Sequence, residues 1–141
     1  MNFRAFGGHR PYVLRLDEGE EILSTLERFL AEQRIHLGYF IAFGGFSGVE
    51  LDYFNVRSKK YEKRQLEKQL EVVSLLGNIA LAEGKPKIHA HCIVADEDDE
   101  TYGGHLGKGT VKPILEVFLT AIDGELERVE DKQRGVHILQ V

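Results

Sequence analysis

The chain has 141 residues, of which 43% are hydrophobic and 29% charged, the balance of a soluble globular protein large enough to bury about two thirds of its unfolded surface in one domain. No apolar run approaches the roughly 18 residues of a membrane span, and the opening Met1–Leu16 stretch interposes Arg4, Gly7-Gly8 and Pro11 where a signal peptide needs an apolar core. The formal net charge of -5 argues against a stand-alone nucleic-acid binder, which needs a basic stripe to neutralise phosphates.

In chain order, "FRAFGGHRPYVLRL" reads as an opening strand interrupted by Gly7-Gly8 and Pro11, with Tyr12, Leu14 and Leu16 on one face. Asp17 and Glu20 form a capping-box-like start for the one convincing helix. Its stripe of Ile22, Leu26, Phe29 and Leu30 ends near Ile35. Beyond Leu37 the chain reads as strands. "LGYFIAFGGFSGVELDYFN" is a strand bent or bulged at Gly44, Gly45 and Gly48. "KKYEKRQL" and "LEVVSLLGNIAL" are two more, the second apolar on both faces and therefore central. "KIHAHCIVA" and "YGGHLGKGTV" make a hairpin around an acidic turn from Asp96 to Glu100, "PILEVFLTAI" follows, and "ELERVED" and "GVHILQV" close the chain. One early helix on a large, mainly antiparallel sheet of six to eight strands is an α+β plan, with residues 1–141 as a single domain.

The hairpin carries the chemistry. His89 and His91 are spaced by one residue, so in a strand both project from the same face about 6.6 Å apart. His105, on the partner strand, can return to the same point. Gly103 and Gly104 beside it permit close approach of backbone or of another subunit. Three neutral imidazoles suit Zn²⁺ with a fourth position open, and nickel, copper or iron also accept imidazole. The alternative is a set of hydrogen-bonded strand histidines with no ion.

Two carboxylates are candidate proton acceptors or partners to the histidines: Glu116, on the face of Ile114 and Phe118, and Glu71, on the face of Val73 and Leu75. Among apolar neighbours their pKa would rise; at a strand end each is simply a solvated Glu. The basic run at 57–68 is interleaved with Glu62 and Glu67, and the acidic run at 96–100 reads as a solvated turn without calcium-loop spacing. Cys92, the single cysteine, sits in an apolar strand pattern as a buried, inert thiol. His9, His36 and His137 are scattered and receive no role. The order Gly84, His89, His91, Glu97, Gly103 nearly follows a metal-binding cupin pattern, but its spacings are off and no second motif follows.

"PKIHAHCIVADEDDETYGGHLGKGTV" followed by "EVFLT" resembles the signature region of the PPC (plants and prokaryotes conserved) domain. "VLRLDEGEEILSTLERFL", "AFGGFSGVELDYFN" and "LEVVSLLGNIAL" resemble the same family, in its order, so the likeness covers essentially the whole chain. The resemblance implies an α+β domain with a large antiparallel sheet, assembly as a homotrimer, and a metal, zinc above all, at the histidines matched by His89, His91 and His105. In land plants the domain accompanies AT-hooks in nuclear DNA-binding proteins, and free-standing prokaryotic members are described as candidate DNA-binding proteins by analogy. This chain has no Arg-Gly-Arg-Pro core and no basic arm, so its own charge does not support DNA binding. The resemblance therefore leads to a homotrimeric assembly module with a regulatory, DNA-associated connection, and the opening residues, unlike a signal peptide, place it in the cytoplasm. The alternative is a zinc-dependent hydrolase of small molecules, using the three histidines with Glu116 or Glu71.

Overall fold

Alternation of apolar and polar residues builds most of this fold. The computed structural model describes residues 1–5 and 9–141, the stretch 2–5 by its backbone alone. Asn2–Ala5 (β1) pairs antiparallel with Pro11–Asp17 (β2), and Tyr12, Leu14 and Leu16 all turn into the core. The Gly7-Gly8 interruption lies outside the described residues.

The helix α1 spans Ile22–Glu32, later than a cap at Asp17 would place it. Its cap is Glu21, whose carboxylate accepts the N–H groups of Leu23 at 3.1 Å and Ser24 at 2.9 Å. The reason is long-range pairing. The carbonyl of Glu20 still accepts the N–H of Val111, and Glu21 bridges to Thr110, so the chain cannot coil before residue 22. Asp17 and Glu20 instead close the preceding turn: the Asp17 N–H donates to Glu20 Oε2 at 2.8 Å. Ile22, Leu26, Phe29 and Leu30 are fully buried, as is Ile35 just past the helix.

Six further strands follow before a short C-terminal pair is complete: Gly38–Asn55 (β3), Lys60–Leu66 (β4), Leu70–Ala82 (β5), Lys85–Ala95 (β6), Thr101–Ala121 (β7) and Arg128–Asp131 (β8), with Val136–Leu139 (β9) closing the chain. Seven strands form one antiparallel sheet in the order β1-β2-β7-β6-β5-β3-β4. Because β7 also pairs with β3, the strands β3, β5, β6 and β7 close a hydrogen-bonded ring. α1 packs on the inner face of this curled sheet, and its apolar stripe joins one core with β2, β3, β5, β6 and β7. This is the expected α+β plan of one helix on a mainly antiparallel sheet.

Two details differ from the sequence reading. "YGGHLGKGTV" and "PILEVFLTAI" are one strand, β7, running through Pro113. Pro113 falls where the β3 register shifts between Gly44 and Phe46, and between the stretches of β7 that pair with β6 and with β2, so its missing N–H interrupts no regular ladder. The chain end is also not part of the large sheet: β8 and β9 form a separate hairpin, moored to the end of β5 by the Leu81 N–H donating to the Leu126 carbonyl at 2.8 Å. The expected bend in β3 is present at Ala42/Gly44. At Gly44, with φ +145°, a Cβ would lie 2.3 Å from the Ile114 carbonyl oxygen, so β3 and β7 approach as only glycine permits. Among the described residues, no helix is long and apolar enough to cross a membrane.

Candidate metal centre

Period two fixes which face each β6 side chain takes. Ala90, Cys92 and Val94 face the core, so His89, His91 and Ile93 face outward. The register then delivers the third imidazole: His91 lies directly opposite His105 on β7, and His105 opposite Asp52 on β3. The ring centroids stand 5.3 Å apart for His89 and His91, 5.0 Å for His89 and His105, and 5.6 Å for His91 and His105. One nitrogen from each ring falls within 4.8 Å of the other two.

The electrostatics suit a cation ligand set. Burial pushes His89 down to about 4, reinforced by positive charge on His105, Arg128 and His91. Burial also holds His105 below its ordinary value, against the opposing pull of Asp52. These imidazoles are therefore neutral near pH 7 and keep lone pairs to donate. Nδ1 of His105 is buried with no hydrogen-bond partner, which a purely structural histidine would have found. Three converging imidazoles, one with an orphan nitrogen, fit a transition metal, and each would lend it one nitrogen.

Gly104, beside His105, is a point of close approach: a Cβ there would stand 2.9 Å from the Asp52 carbonyl oxygen. At Gly103 the nearest atoms, Cys92 O and Ile93 Cγ1, are 3.4 Å away. The two candidate carboxylates stand elsewhere. Glu116 is exposed on β7, opposite Arg15 and Phe43, eleven residues along the strand from His105 or roughly 36 Å. Glu71 is exposed opposite Gly45 and Ala95, in a separate recess with Lys68, Gln69 and Asp96. A register shift between Val72 and Ser74 also turns Leu75 inward, so Glu71 and Val73 share the outer face without it.

The triad opens into a cavity of about 1010 Å³. Its walls bring in residues that motif spacing did not mark: Asp52 and Tyr61 on one side, Arg128 and His137 from the C-terminal hairpin on the other. The Tyr61 ring lies 5.3 Å from that of His105. Arg128 reaches across to β5, its Nη2 donating to Asn78 Oδ1 at 2.6 Å, and Asn78 is the cross-strand partner of His89. Asp52 could have been found from the polar alternation Glu50, Asp52 in β3. Nothing local marks Arg128 or His137, because the docking of their hairpin is a long-range event. His36 instead meets Glu125 at 2.6 Å, outside this cavity, and His9 is exposed.

The acidic turn is only partly solvated. Asp96 is buried, accepts the N–H groups of Asp98 at 3.1 Å and Glu100 at 3.0 Å, and is bound by Lys68 at 2.5 Å. It ties down the hairpin that aligns His91 with His105. The Cys92 thiol, buried behind the triad, is pushed up to about 12 by burial. Lys63 and Lys68 of the basic run are neutralised by Glu50 and Asp96.

The fold as a whole is similar to that of known proteins. A metal-containing protein from Archaeoglobus fulgidus has the same fold with a TM-score of 0.90 and 33% identity, over 100% of this chain and 99% of its own. A plant- and prokaryote-conserved (PPC) protein from Pyrococcus horikoshii matches at 0.89 and 30%, over 99% and 95%. A candidate DNA-binding protein from Ralstonia eutropha matches at 0.86 and 28%, over 92% and 90%. The bifunctional protein GlmU of a Synechococcus strain is 34% identical over 104 residues, 73% of this chain, and the chain spans only 16% of that protein's length. The model of the Plants and Prokaryotes Conserved (PCC) domain matches residues 3–123, and with these likenesses it shows that the chain belongs to the Plants and Prokaryotes Conserved domain family.

Proposed function

We propose that this protein is a cytoplasmic, non-enzymatic assembly module that forms a homotrimer through the outer face of its sheet and holds zinc in the triad of His89, His91 and His105. One observation carries the reading. The register links Val13, Phe118, Ile41, Leu76, His91 and His105 as successive cross-strand neighbours, a line that leaves β7 at Phe118 and returns to it at His105. Ile41 is 53% exposed, Leu76 57% and Phe118 44%, and Tyr39, Phe43 and Val73 flank them. Contiguous apolar area of this kind marks an association surface. Here it runs directly into the histidines, so assembly and metal occupancy share one face. The metal-containing Archaeoglobus neighbour supports the ion, and the Ralstonia neighbour supports an association with DNA. With net charge -5 and with Lys63 and Lys68 of its basic run paired, this chain would join such an assembly through protein partners.

The test is elemental analysis with sedimentation on protein purified without a histidine tag, beside Ile41→Asp and His89→Ala/His91→Ala. Expected are one zinc per chain, lost in the double histidine variant, and a trimer reduced to monomer by Ile41→Asp. A monomeric, metal-free parent would overturn the proposal.

A second reading, a zinc-dependent hydrolase, draws on the large cavity over the triad. A bound metal would supply Lewis acidity there. Glu116 and Glu71 stand away from it, so Asp52, half-buried opposite His105 and with Oδ1 lacking a partner, is the carboxylate placed to accept a proton. Turnover of small esters or amides that is abolished by Asp52→Asn, with metal retained, would favour this reading over the first.

A further inference from the structure

Arg128 lacks what a half-buried cation ordinarily has. Its Nη2 donates to the neutral amide of Asn78 at 2.6 Å and its Nη1 to the His137 carbonyl at 3.3 Å, while Nε is buried without a partner. Among the described residues it forms no ion pair with a carboxylate, although Lys63 and Lys87 in the same cavity are bound to Glu50 and Glu27. Burial holds its pKa below the ordinary arginine value. Of the carboxylates that line the cavity, Glu83 and Glu130 are exposed at its rim, Asp52 stands with His105 and Lys63, and half-buried Glu127 neighbours Arg128 in sequence without pairing with it. A guanidinium is a planar fork matched to a carboxylate, and a desolvated one without a counter-ion is incomplete.

The surroundings define what would complete it. Asn78, the cross-strand partner of His89, holds the guanidinium, and Arg128 and the triad line the same cavity. Phe54, Ile88, Val129 and Val136 supply an apolar wall, and the volume of about 1010 Å³ suits a molecule larger than a bare anion.

We propose that this cavity binds a small organic acid: the carboxylate pairs with Arg128, the apolar body lies against Phe54, Ile88 and Val129, and an oxygen beside the carboxylate faces the ion of the triad. Only that last contact rests on the metal reading above. Arg128 is then a ligand-recognition residue, and the C-terminal hairpin is the element that brings it to the triad.

The probe is mandelate, a 2-hydroxy acid with an aromatic body, against its uncharged isostere mandelamide. Both are titrated calorimetrically into the zinc-treated full chain, with zinc content measured in parallel. Expected is binding of mandelate at least about tenfold tighter than that of the amide, a preference lost in Arg128→Gln and partly restored in Arg128→Lys. Arg128→Gln keeps a donor for Asn78, and its melting curve is to match the parent's. Should it fail to fold, the acid-against-amide comparison on the parent chain still decides. Equal affinity for acid and amide, an unchanged preference in Arg128→Gln, or no binding of mandelate would each overturn the proposal. A metal-free chain that still prefers the acid would sink the zinc reading alone, and a zinc-bound chain without the preference would sink the acid site alone.

Discussion

The two faces of β6 sit one residue apart and follow opposite rules. On the inner face Ala90, Cys92 and Val94 are 2%, 2% and 0% exposed and merge with the helix in one core. On the outer face His89 and His91 converge on His105, with Ile93 exposed beside them. The inner face holds the fold together through apolar burial, which is non-directional and tolerates nothing polar without a partner. The outer side of the sheet, with the hairpin moored on it, tolerates orphan polar atoms such as Nδ1 of His105 and Nε of Arg128, and such orphans call for a partner. The contrast teaches that in a sheet covered on one side, stability and chemistry can be separated by the parity of residue number.

The largest effect should come from the inner face. Phe29 is fully buried under the sheet, its ring set edge-to-face on that of Tyr12 with the centroids 5.3 Å apart, and Phe29→Ala should cost about 3–5 kcal/mol in urea denaturation. Metal bound per folded chain should not change; a proportionate loss of metal would show that the two faces are coupled.

A sharper comparison uses adjacent residues. In chelator-treated protein, Cys92→Ser buries an unpartnered hydroxyl and should cost about 1–3 kcal/mol, whereas His91→Ala on the outer face should stay within about 0.5 kcal/mol. Equal losses would erase the distinction between the faces.

The smallest effect concerns the turn that sets the hairpin register. The Lys68 ammonium, with the N–H groups of Asp98 and Glu100, holds the Asp96 carboxyl below its usual value against the opposing effect of burial. A carboxyl lowered on folding contributes stability above its unfolded pKa of about 3.9 and loses it as pH falls through the folded value. Acid titration of the melting temperature should therefore show a component below about pH 4 that Asp96→Asn removes. An unchanged acid limb in that variant would mean that the Lys68–Asp96 pair does not hold the turn.

Much of this molecule was legible in one dimension because its determinants are local. Strand alternation identified Tyr12, Leu14 and Leu16 as core, helical spacing did the same for Ile22 to Leu30, and His-x-His with a third histidine across an acidic turn marked the triad. Where local patterns were misleading, pairing with a distant strand was responsible. Val111 and Thr110 hold Glu20 and Glu21 and delay the helix. The shift between Val72 and Ser74 separates Leu75 from Glu71, and the ladder with β3 carries β7 past Pro113. Glu116 was placed with Ile114 and Phe118 correctly, but that face is the exposed one.

The sequence by itself determined the inner face and the identity of the three imidazoles, since both depend on periods of two and 3.6 that a single strand or helix enforces. Only the tertiary structure decided what surrounds them. Closing the ring from β7 back to β3 puts Asp52 opposite His105, and mooring the C-terminal hairpin on β5 brings Arg128 to Asn78. These meetings join residues dozens of positions apart, where no periodicity operates and only the packed sheet fixes the distance.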